Sequence, residues 1–367
     1  MKKIERREFL KASAAFAAAS AAGGFGCVEI ASAAPIEAPT VDRLSIRVLI
    51  DGSFNLFLRP TEAKGVKVEQ IRRLPDYRRT LHNQWGLSLL LDTQRAAEQR
   101  TVMVDFGYTP EALLNNMEVV GADPKQIEAF VVSHGHFDHY GGLLGMLDKF
   151  RGVLPADLTL YAGGEDNFCR RFQGQPGQLA EFGVLDRREL ASRNVKVVLA
   201  ESPVVIGHAF TTGKIKRTSI ERMLPSTQVE FAMKDGLGCN ASHYAPAELQ
   251  GKIVPDEHLH EHATCVNVKD RGLVVVSSCG HVGIVNSALQ AREVSGVQKI
   301  HALVGGFHLG PAAPEYINQV MGDIKKLDPD VIIPMHCSGD NFANAVRAQM
   351  PDKLLLAGTG TRLTFGA

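Results

Sequence analysis

Short apolar or alternating segments recur through the first part of the chain and are typical of strands; they lie at residues 44–50, 87–91, 101–104 and 127–132. The pattern of residues 110–120 predicts a helix, with Pro110 in the first turn, where proline is tolerated. A second helix is predicted at residues 143–147. This order of strand, strand, helix and strand favours an α/β sandwich over an all-β fold.

The pattern becomes regular again in the last third of the chain. Strands are predicted at residues 263–268, 272–278, 301–304, 331–334, 353–356 and 362–365, and helices at residues 285–294 and 314–327. Residues 165–262 contain only short strand candidates, such as 195–199 and 229–232. We interpret this region as a cap or a set of active-site loops, because long irregular loops in compact enzymes are commonly functional. A solvent-exposed insertion without a chemical role is the alternative.

The first 34 residues differ from the rest in composition. Arg6 and Arg7 precede an uncharged, Ala-rich run over residues 12–28, and small residues follow at Ala33 and Ala34. A basic start, an apolar run and a small-residue cleavage site are typical of a secretory signal peptide. The paired arginines resemble a twin-arginine export signal. We therefore expect the twin-arginine machinery as a partner and cleavage near Ala33 or Ala34.

The expected mature chain is one domain, residues 35–367, in the periplasm. A retained amphipathic N-terminal helix and a lipid anchor at Cys27 are the alternatives. The Ala-rich run is too short to be a convincing membrane span, and none is predicted in the mature chain. Residues 35–367 carry 35 basic and 37 acidic side chains, a formal charge of −2, which gives no indication of a nucleic-acid partner. The five cysteines of this part do not indicate a disulfide framework, because their number is odd and their spacing irregular.

The main candidate for chemistry is the segment Ser-His-Gly-His-Phe-Asp-His at residues 133–139. Residues two apart on an extended segment share a face, so His134 and His136 can contact one ion, and Asp138 continues the series. His139 points away if the backbone turns after Phe137. Imidazole and carboxylate are the ligands expected of Zn²⁺, with iron or manganese at carboxylate-richer sites. A His-rich surface loop without a metal is the alternative.

This segment resembles the HxHxDH signature of the metallo-β-lactamase superfamily. Further matching segments follow in the same order at residues 86–90, 279–286, 305–309 and 334–337, and they resemble the branch named after the dihydropterin-ribofuranosylaminobenzene phosphate synthase. The resemblance implies an αββα sandwich with one or two divalent metal ions, Zn²⁺ first. It also implies hydrolysis by a metal-activated water.

The resemblance extends to further site residues. It implies that His281 and His336 ligate metal, and it puts Cys279 where many members carry a bridging aspartate; an inert buried thiol is the alternative there. His308 follows a Gly-Gly pair and is expected to contact substrate or transfer a proton, although its role and that of His336 could be exchanged. Asp105 ends a predicted core strand and is expected to hold a metal-bound imidazole, unless it is an ordinary turn residue.

A second histidine cluster occurs at His258, His260 and His262, again two residues apart. It lies among acidic residues, and no buried strand leads into it. We interpret it as a solvated loop, with contact to metal or substrate as the alternative.

Three functions remain open from the sequence. The leading hypothesis is an exported, metal-dependent hydrolase that acts on an ester, lactone or phosphoester of an anionic small molecule, with Asp138 and His308 as catalytic residues. A dihydropterin-related synthase that releases pyrophosphate is the second, and a non-catalytic periplasmic metal- or ligand-binding protein is the third. The third is kept because Gln84-Trp85 and Phe106 depart from the branch pattern.

Overall fold

The computed structural model describes residues 35–71, 76–175, 177–240 and 252–366, and the expected signal peptide lies outside them. The described strands are β1 (Thr40–Val41), β2 (Arg43–Ile50), β3 (Thr61–Ala63), β4 (Val66–Gln70), β5 (Ser88–Arg95), β6 (Glu98–Val104), β7 (Ile127–Val132), β8 (Thr159–Ala162), β9 (Arg170–Gln173), β10 (Ala180–Glu181), β11 (Lys196–Leu199), β12 (Val205–Ile206), β13 (Ala209–Thr211), β14 (Gln228–Glu230), β15 (Met233–Lys234), β16 (Leu237–Gly238), β17 (Ile253–Pro255), β18 (Thr264–Val268), β19 (Gly272–Ser277), β20 (Ile300–Gly305), β21 (Val331–Pro334) and β22 (Thr361–Gly366). The described helices are α1 (Pro110–Val120), α2 (Phe137–Tyr140), α3 (Leu143–Phe150), α4 (Arg187–Ser192), α5 (Ile284–Ser295), α6 (Pro314–Leu327) and α7 (Gly339–Gln349).

Two large sheets form the inner layers. One has nine strands in the order β11-β8-β7-β6-β5-β2-β22-β4-β3. The other has the order β12-β13-β18-β19-β20-β21, and β1 pairs with β18. The strands β6, β7 and β8 are parallel, and so are β19, β20 and β21. Loops after parallel strands leave a sheet at one edge, which is where ligands commonly bind in α/β folds.

The main apolar core lies between the two sheets. It brings Leu44 and Leu89 of the nine-stranded sheet together with Val266, Val274 and Val304 of the other. Alternating residues of each strand point into this layer, as the period of a strand requires. The strands of both sheets are therefore buried on one face by the opposite sheet.

Helices cover the two outer faces. Leu113 of α1 and Leu143 of α3 pack with Phe130 of β7 on the nine-stranded sheet. The helices α5, α6 and α7 pack on the other sheet in a third apolar cluster that includes Val320 and Phe342. The result is an αββα sandwich, as the resemblance implies. No helix among the described residues is both long and apolar enough to cross a membrane.

The region from 165 to 262 is distributed over several sheets. Its strand β11 extends the nine-stranded sheet, and β12 and β13 extend the other. A four-stranded antiparallel sheet, β10-β9-β14-β17, and the pair β15-β16 account for the other strands described there. A disulfide between Cys169 and Cys239 joins residues 70 apart in this region. The cysteine pattern did not predict this pair, because irregular spacing carries no information on pairing.

The predicted strand at residues 353–356 is wrong. Residues Pro351–Lys353 form a 3-10 helix, and a single bridge joins Leu354 to Ile332 beside β21. Pro351 has no N–H and favours a turn, which shortens the segment available for pairing.

Candidate metal centre

The segment 133–139 lies where the buried strand β7 ends. After Val132 the chain bends at His134 and Gly135, His136 is extended with φ −83° and ψ 143°, and the short helix α2 begins at Phe137. This change of conformation separates the side chains of the motif. His134 and His136 precede the helix, whereas Asp138 and His139 belong to it.

The first ligand group consists of His134, His136 and His281, whose ring nitrogens lie within 4.8 Å of one another. His134 Nδ1 is 2.9 Å from Ser133 Oγ, and its buried Nε2 has no partner. His136 Nε2 is 2.8 Å from Thr227 Oγ1, which leaves Nδ1 for an ion. Neither ring nitrogen of His281 has a protein partner, although both are buried. Buried polar atoms are normally satisfied, so this group fits a cation.

The second ligand group consists of Asp138, His139 and His336. His139 Nε2 is 3.3 Å from His336 Nε2, and Asp138 Oδ2 is 3.6 Å and 3.4 Å from these two atoms. His139 Nδ1 is 2.7 Å from Asp105 Oδ2, so its N–H donates there and Nε2 faces the group. Asp105 is held in turn by the backbone N–H and the hydroxyl of Ser133. This is the contact that a carboxylate orienting a metal-bound imidazole requires.

The protonation states of His134, His281 and Asp138 also suit metal binding. Burial, followed by repulsion from neighbouring imidazoles, holds the pKa of His134 and His281 well below the usual range. Burial opposes ionisation of Asp138, but the imidazoles of His139 and His336 outweigh it and hold the pKa of that carboxyl below its usual range. Neutral imidazole and ionised carboxylate are the forms that bind metal ions.

The two groups are adjacent, since the rings of His134 and His139 are 4.3 Å apart. Nitrogen and carboxylate donors fit Zn²⁺, Fe²⁺ or Mn²⁺. Cys279 Sγ lies within 4.8 Å of nitrogens of both His134 and His139, between the groups. It is also 3.1 Å from Cys337 Sγ. A ligand role for Cys279 stays a prediction.

His308 lies beside the first group. Its ring is 4.1 Å from that of His281, and its Nδ1 is 3.8 Å from Cys279 Sγ. Its buried Nε2 has no partner. This geometry supports His336, rather than His308, as the ligand that completes the group of Asp138 and His139.

Several site residues have left-handed backbone conformations. Asp105, His258, His308 and His336 have φ values of 58°, 47°, 45° and 49°. Residues other than glycine adopt this conformation at a cost, and such residues cluster at functional sites.

The interpretation of His258, His260 and His262 as a solvated loop is wrong, because all three are buried. His258 stacks on His281 at 3.8 Å with an angle of 8° between the rings. His260 Nε2 accepts a hydrogen bond from the N–H of Gly135, and His262 Nε2 donates to the carbonyl of Val132. The cluster therefore supports the backbone at the start of the metal segment. Two of the acidic neighbours that suggested exposure, Asp256 and Glu261, are buried and hydrogen-bonded, whereas Glu257 is exposed.

Comparison with known proteins identifies the fold. A family model described as the metallo-β-lactamase superfamily matches residues 87–172. A crystal structure of a metal-dependent hydrolase of the β-lactamase superfamily covers 87% of this chain and 98% of its own, with a TM-score of 0.63 and 21% identity. The protein has the metallo-β-lactamase fold. The predicted fold class and superfamily resemblance are thereby confirmed.

Two curated relatives of this metallo-β-lactamase-fold protein come from Methanocaldococcus jannaschii. One, 28% identical over 272 residues, is named 7,8-dihydropterin-6-methyl-4-(β-D-ribofuranosyl)-aminobenzene-5'-phosphate synthase; the match covers 73% of this chain and 85% of the relative. The other is an uncharacterized protein, 25% identical over 262 residues, and the match covers 70% and 84%. Both relatives share most of their length with this chain, but only the first of these two has a name that states an activity.

Two further residues, Thr227 and Asp51, hold ligands of this metallo-β-lactamase-fold site and were not predicted from the sequence. Thr227 bonds to His136 and also donates to Asp256 Oδ2 at 3.3 Å. Asp51 Oδ1 accepts a hydrogen bond of 2.7 Å from the N–H of His336. Asp51 directly follows β2, as Asp105 follows β6, and that position was a usable signal. Thr227 offers no such signal, because its partner is 91 residues away.

Glu221 gives a prediction on stability and pH. Its buried carboxylate accepts hydrogen bonds from the N–H groups of Val285 and Asn286 at the start of α5. Burial raises the pKa of Glu221 to about 7 from its ordinary value of 4.5. A raised folded-state pKa contributes stability below pH 4.5 that is lost as the pH rises through 7. The free energy of unfolding should therefore fall between pH 5 and pH 8.

Glu221→Gln should reduce this fall by an amount on the order of 1–3 kcal/mol, because the amide does not ionise and keeps an acceptor oxygen. Denaturant unfolding of the metal-loaded protein at several pH values measures it. Glu257→Gln, at an exposed glutamate, is the matched control. Equal pH dependence in the wild type and Glu221→Gln would contradict the prediction.

Proposed function

We propose that the protein is a metal-dependent hydrolase that acts on an ester, lactone or phosphoester of a small molecule. The observation that carries this proposal is the pair of adjacent, buried ligand groups at the edge of the two sheets. Each group has three donor atoms close enough to contact one ion. When bound, divalent ions supply an activated water and polarise the oxygen of the scissile group.

The residues of the chain prepare this site before any substrate arrives. Asp105 fixes the tautomer of His139, and Thr227 fixes the orientation of His136. Asp51 holds the backbone at His336. Asp138 stays ionised and provides a negative charge opposite the imidazoles. His308 lies beside the first group with a buried Nε2 that has no protein partner, and it is our candidate for delivering a proton to the leaving group.

Metal content and turnover test the proposal together. Protein expressed with ample zinc, and separately with iron or manganese, should contain about two ions per chain by elemental analysis. It should hydrolyse at least one of an aryl ester, a lactone and a phosphodiester, and His136→Ala should lower both metal content and rate. Fully loaded protein with no turnover of any class, or turnover equal in His136→Ala, would exclude the hydrolase.

A synthase is the second candidate, because one relative at 28% identity is named as one. The discriminating assay supplies a dihydropterin pyrophosphate and an aromatic amine and measures released pyrophosphate. Pyrophosphate release that depends on both compounds, without hydrolysis of the esters, would favour the synthase. Tight metal or ligand binding without turnover in either assay would favour the binding protein.

We also propose that residues 1–34 direct export. In a bacterial host, the mature protein should appear in the periplasm with a mass that corresponds to cleavage near Ala33 or Ala34. Arg6→Lys with Arg7→Lys should retain the uncleaved chain in the cytoplasm, because the export machinery reads the arginine pair. Intact mass and cell fractionation measure both. Equal export of the double variant would exclude the twin-arginine route.

A further inference from the structure

A cavity of about 420 Å³ opens beside the second ligand group. His336 lies in its wall, together with Trp85, Met335, Leu356 and Ala357. A volume of this size is in the range of small-molecule sites. Because His336 Nε2 also approaches Asp138, the cavity adjoins the second ligand group through His336.

Trp85 is the most unusual residue of this wall. Its side chain is 58% exposed, although large aromatic residues normally bury more of their surface. The indole lies 4.7 Å from the ring of His336 at an angle of 52°, so one part is held at the site and the rest is open. An exposed, positioned indole offers a flat surface for stacking.

The charges of the cavity restrict what can stack there. Among the described residues that line it are the carboxylates of Asp51 and Asp340, whereas lysine and arginine are absent. The carboxylate of Asp51 accepts hydrogen bonds from the N–H of His336 and from the N–H and hydroxyl of Ser53, and it has no basic partner among them. Asp340 is exposed at the start of α7. This field disfavours an anionic group and suits a neutral or cationic one.

We propose that this cavity binds an aromatic ring of the substrate, neutral or cationic, with Trp85 as the residue that selects it. The inference rests on the proposed hydrolase, since it places the ring next to the group that reacts. It narrows the substrate class to small molecules in which an aryl group adjoins the scissile ester, lactone or phosphoester.

Three inert phosphonates test the subsite without turnover. Phenylphosphonate, butylphosphonate and methylphosphonate share the oxyanion and differ in what enters the cavity. Trp85 is the single tryptophan of the sequence, so its fluorescence reports on this wall alone. In metal-loaded protein, phenylphosphonate should bind about tenfold more tightly than methylphosphonate and more tightly than butylphosphonate, with a change in emission. A 4-carboxylate on the phenyl ring should weaken binding, whereas a 4-aminomethyl group should not.

Variants of Trp85 test whether its indole causes the preference for the phenyl compound. By calorimetry, Trp85→Ala should bring the ratio of phenyl to methyl affinity close to one, and Trp85→Phe should restore most of it. Tyr77→Ala removes an aromatic side chain that is 92% exposed outside the cavity, and it should keep the full ratio. Equal affinity for phenyl- and butylphosphonate, or selectivity that persists in Trp85→Ala, would overturn the proposal.

Failure of the subsite and failure of the hydrolase are distinguishable. The affinity ratio is read from binding to inert compounds, whereas the hydrolase is judged by turnover. Hydrolysis without ring selectivity would refute only the subsite. Ring selectivity without hydrolysis would keep an aryl-binding site and refute the hydrolase.

Discussion

Asp138→Asn is expected to lower the hydrolytic kcat/KM of the metal-loaded protein by about 10³-fold. The variant keeps the shape of the side chain but removes the one carboxylate of the second ligand group. His139 and His336 would then face an ion with two neutral donors, and the charge opposite the imidazoles would be lost. A loss of several kcal/mol of transition-state stabilisation corresponds to this factor.

Metal analysis makes this prediction specific. We expect Asp138→Asn to retain about one ion per chain, because His134, His136 and His281 are unaltered. Asp148→Asn is the matched control, since that carboxylate is exposed and pairs with Arg193 on the surface. Asp138→Asn with two ions and wild-type kcat/KM would refute Asp138 as a ligand.

Arg171→Ala is expected to lower the free energy of unfolding by about 3–5 kcal/mol. Arg171 is fully buried, and its Nε donates to Asp256 Oδ2 at 2.7 Å. Its Nη atoms donate to the carbonyls of Cys169 and Asp166, and one also contacts His260. Loss of the guanidinium would leave the buried carboxylate of Asp256 without its counter-charge. Denaturant unfolding of the metal-loaded protein measures the effect.

A second substitution separates loss of charge pairing from loss of packing. Asp256→Asn in the Arg171→Ala background should recover part of the stability, because no unpaired charge is then buried. Arg188→Ala is the surface control, where an exposed arginine pairs with Asp186 and little change is expected. If the double variant is no more stable than Arg171→Ala, the unpaired carboxylate is not the cause.

Much of the fold could be predicted from local pattern. The helices at 110–120 and 314–327 and the strand at 331–334 match the structure at both ends. Proline at the start of each helix marks its first turn, and apolar periodicity carries the rest. The helix α7 was missed, because its sequence contains Gly, Asp and Asn and few apolar residues. Its helicity depends on packing against the second sheet through Phe342 and Val346.

The residues of the site also fall into those that local sequence pattern indicates and those that depend on tertiary contacts. Residues 133–139 form a local motif, so the sequence was enough to indicate a metal. Thr227 and Arg171 reach that motif only through tertiary folding of the region from 165 to 262. The burial of His258 and its neighbours was also hidden, because acidic residues indicate exposure unless their partners are known. Glu261, for example, accepts a hydrogen bond from the N–H of Val282 inside the protein.

The distribution of the ligands along the chain has a consequence for assembly. His134 and His136 follow β7 in one sheet, while His281 follows β19 in the other, and the second group joins Asp138 to His336 in the same manner. Neither half of the sandwich supplies a complete set of ligands. A bound ion would therefore link the two halves. Such an ion would oppose separation of the two sheets, and its release would be the first step in their separation.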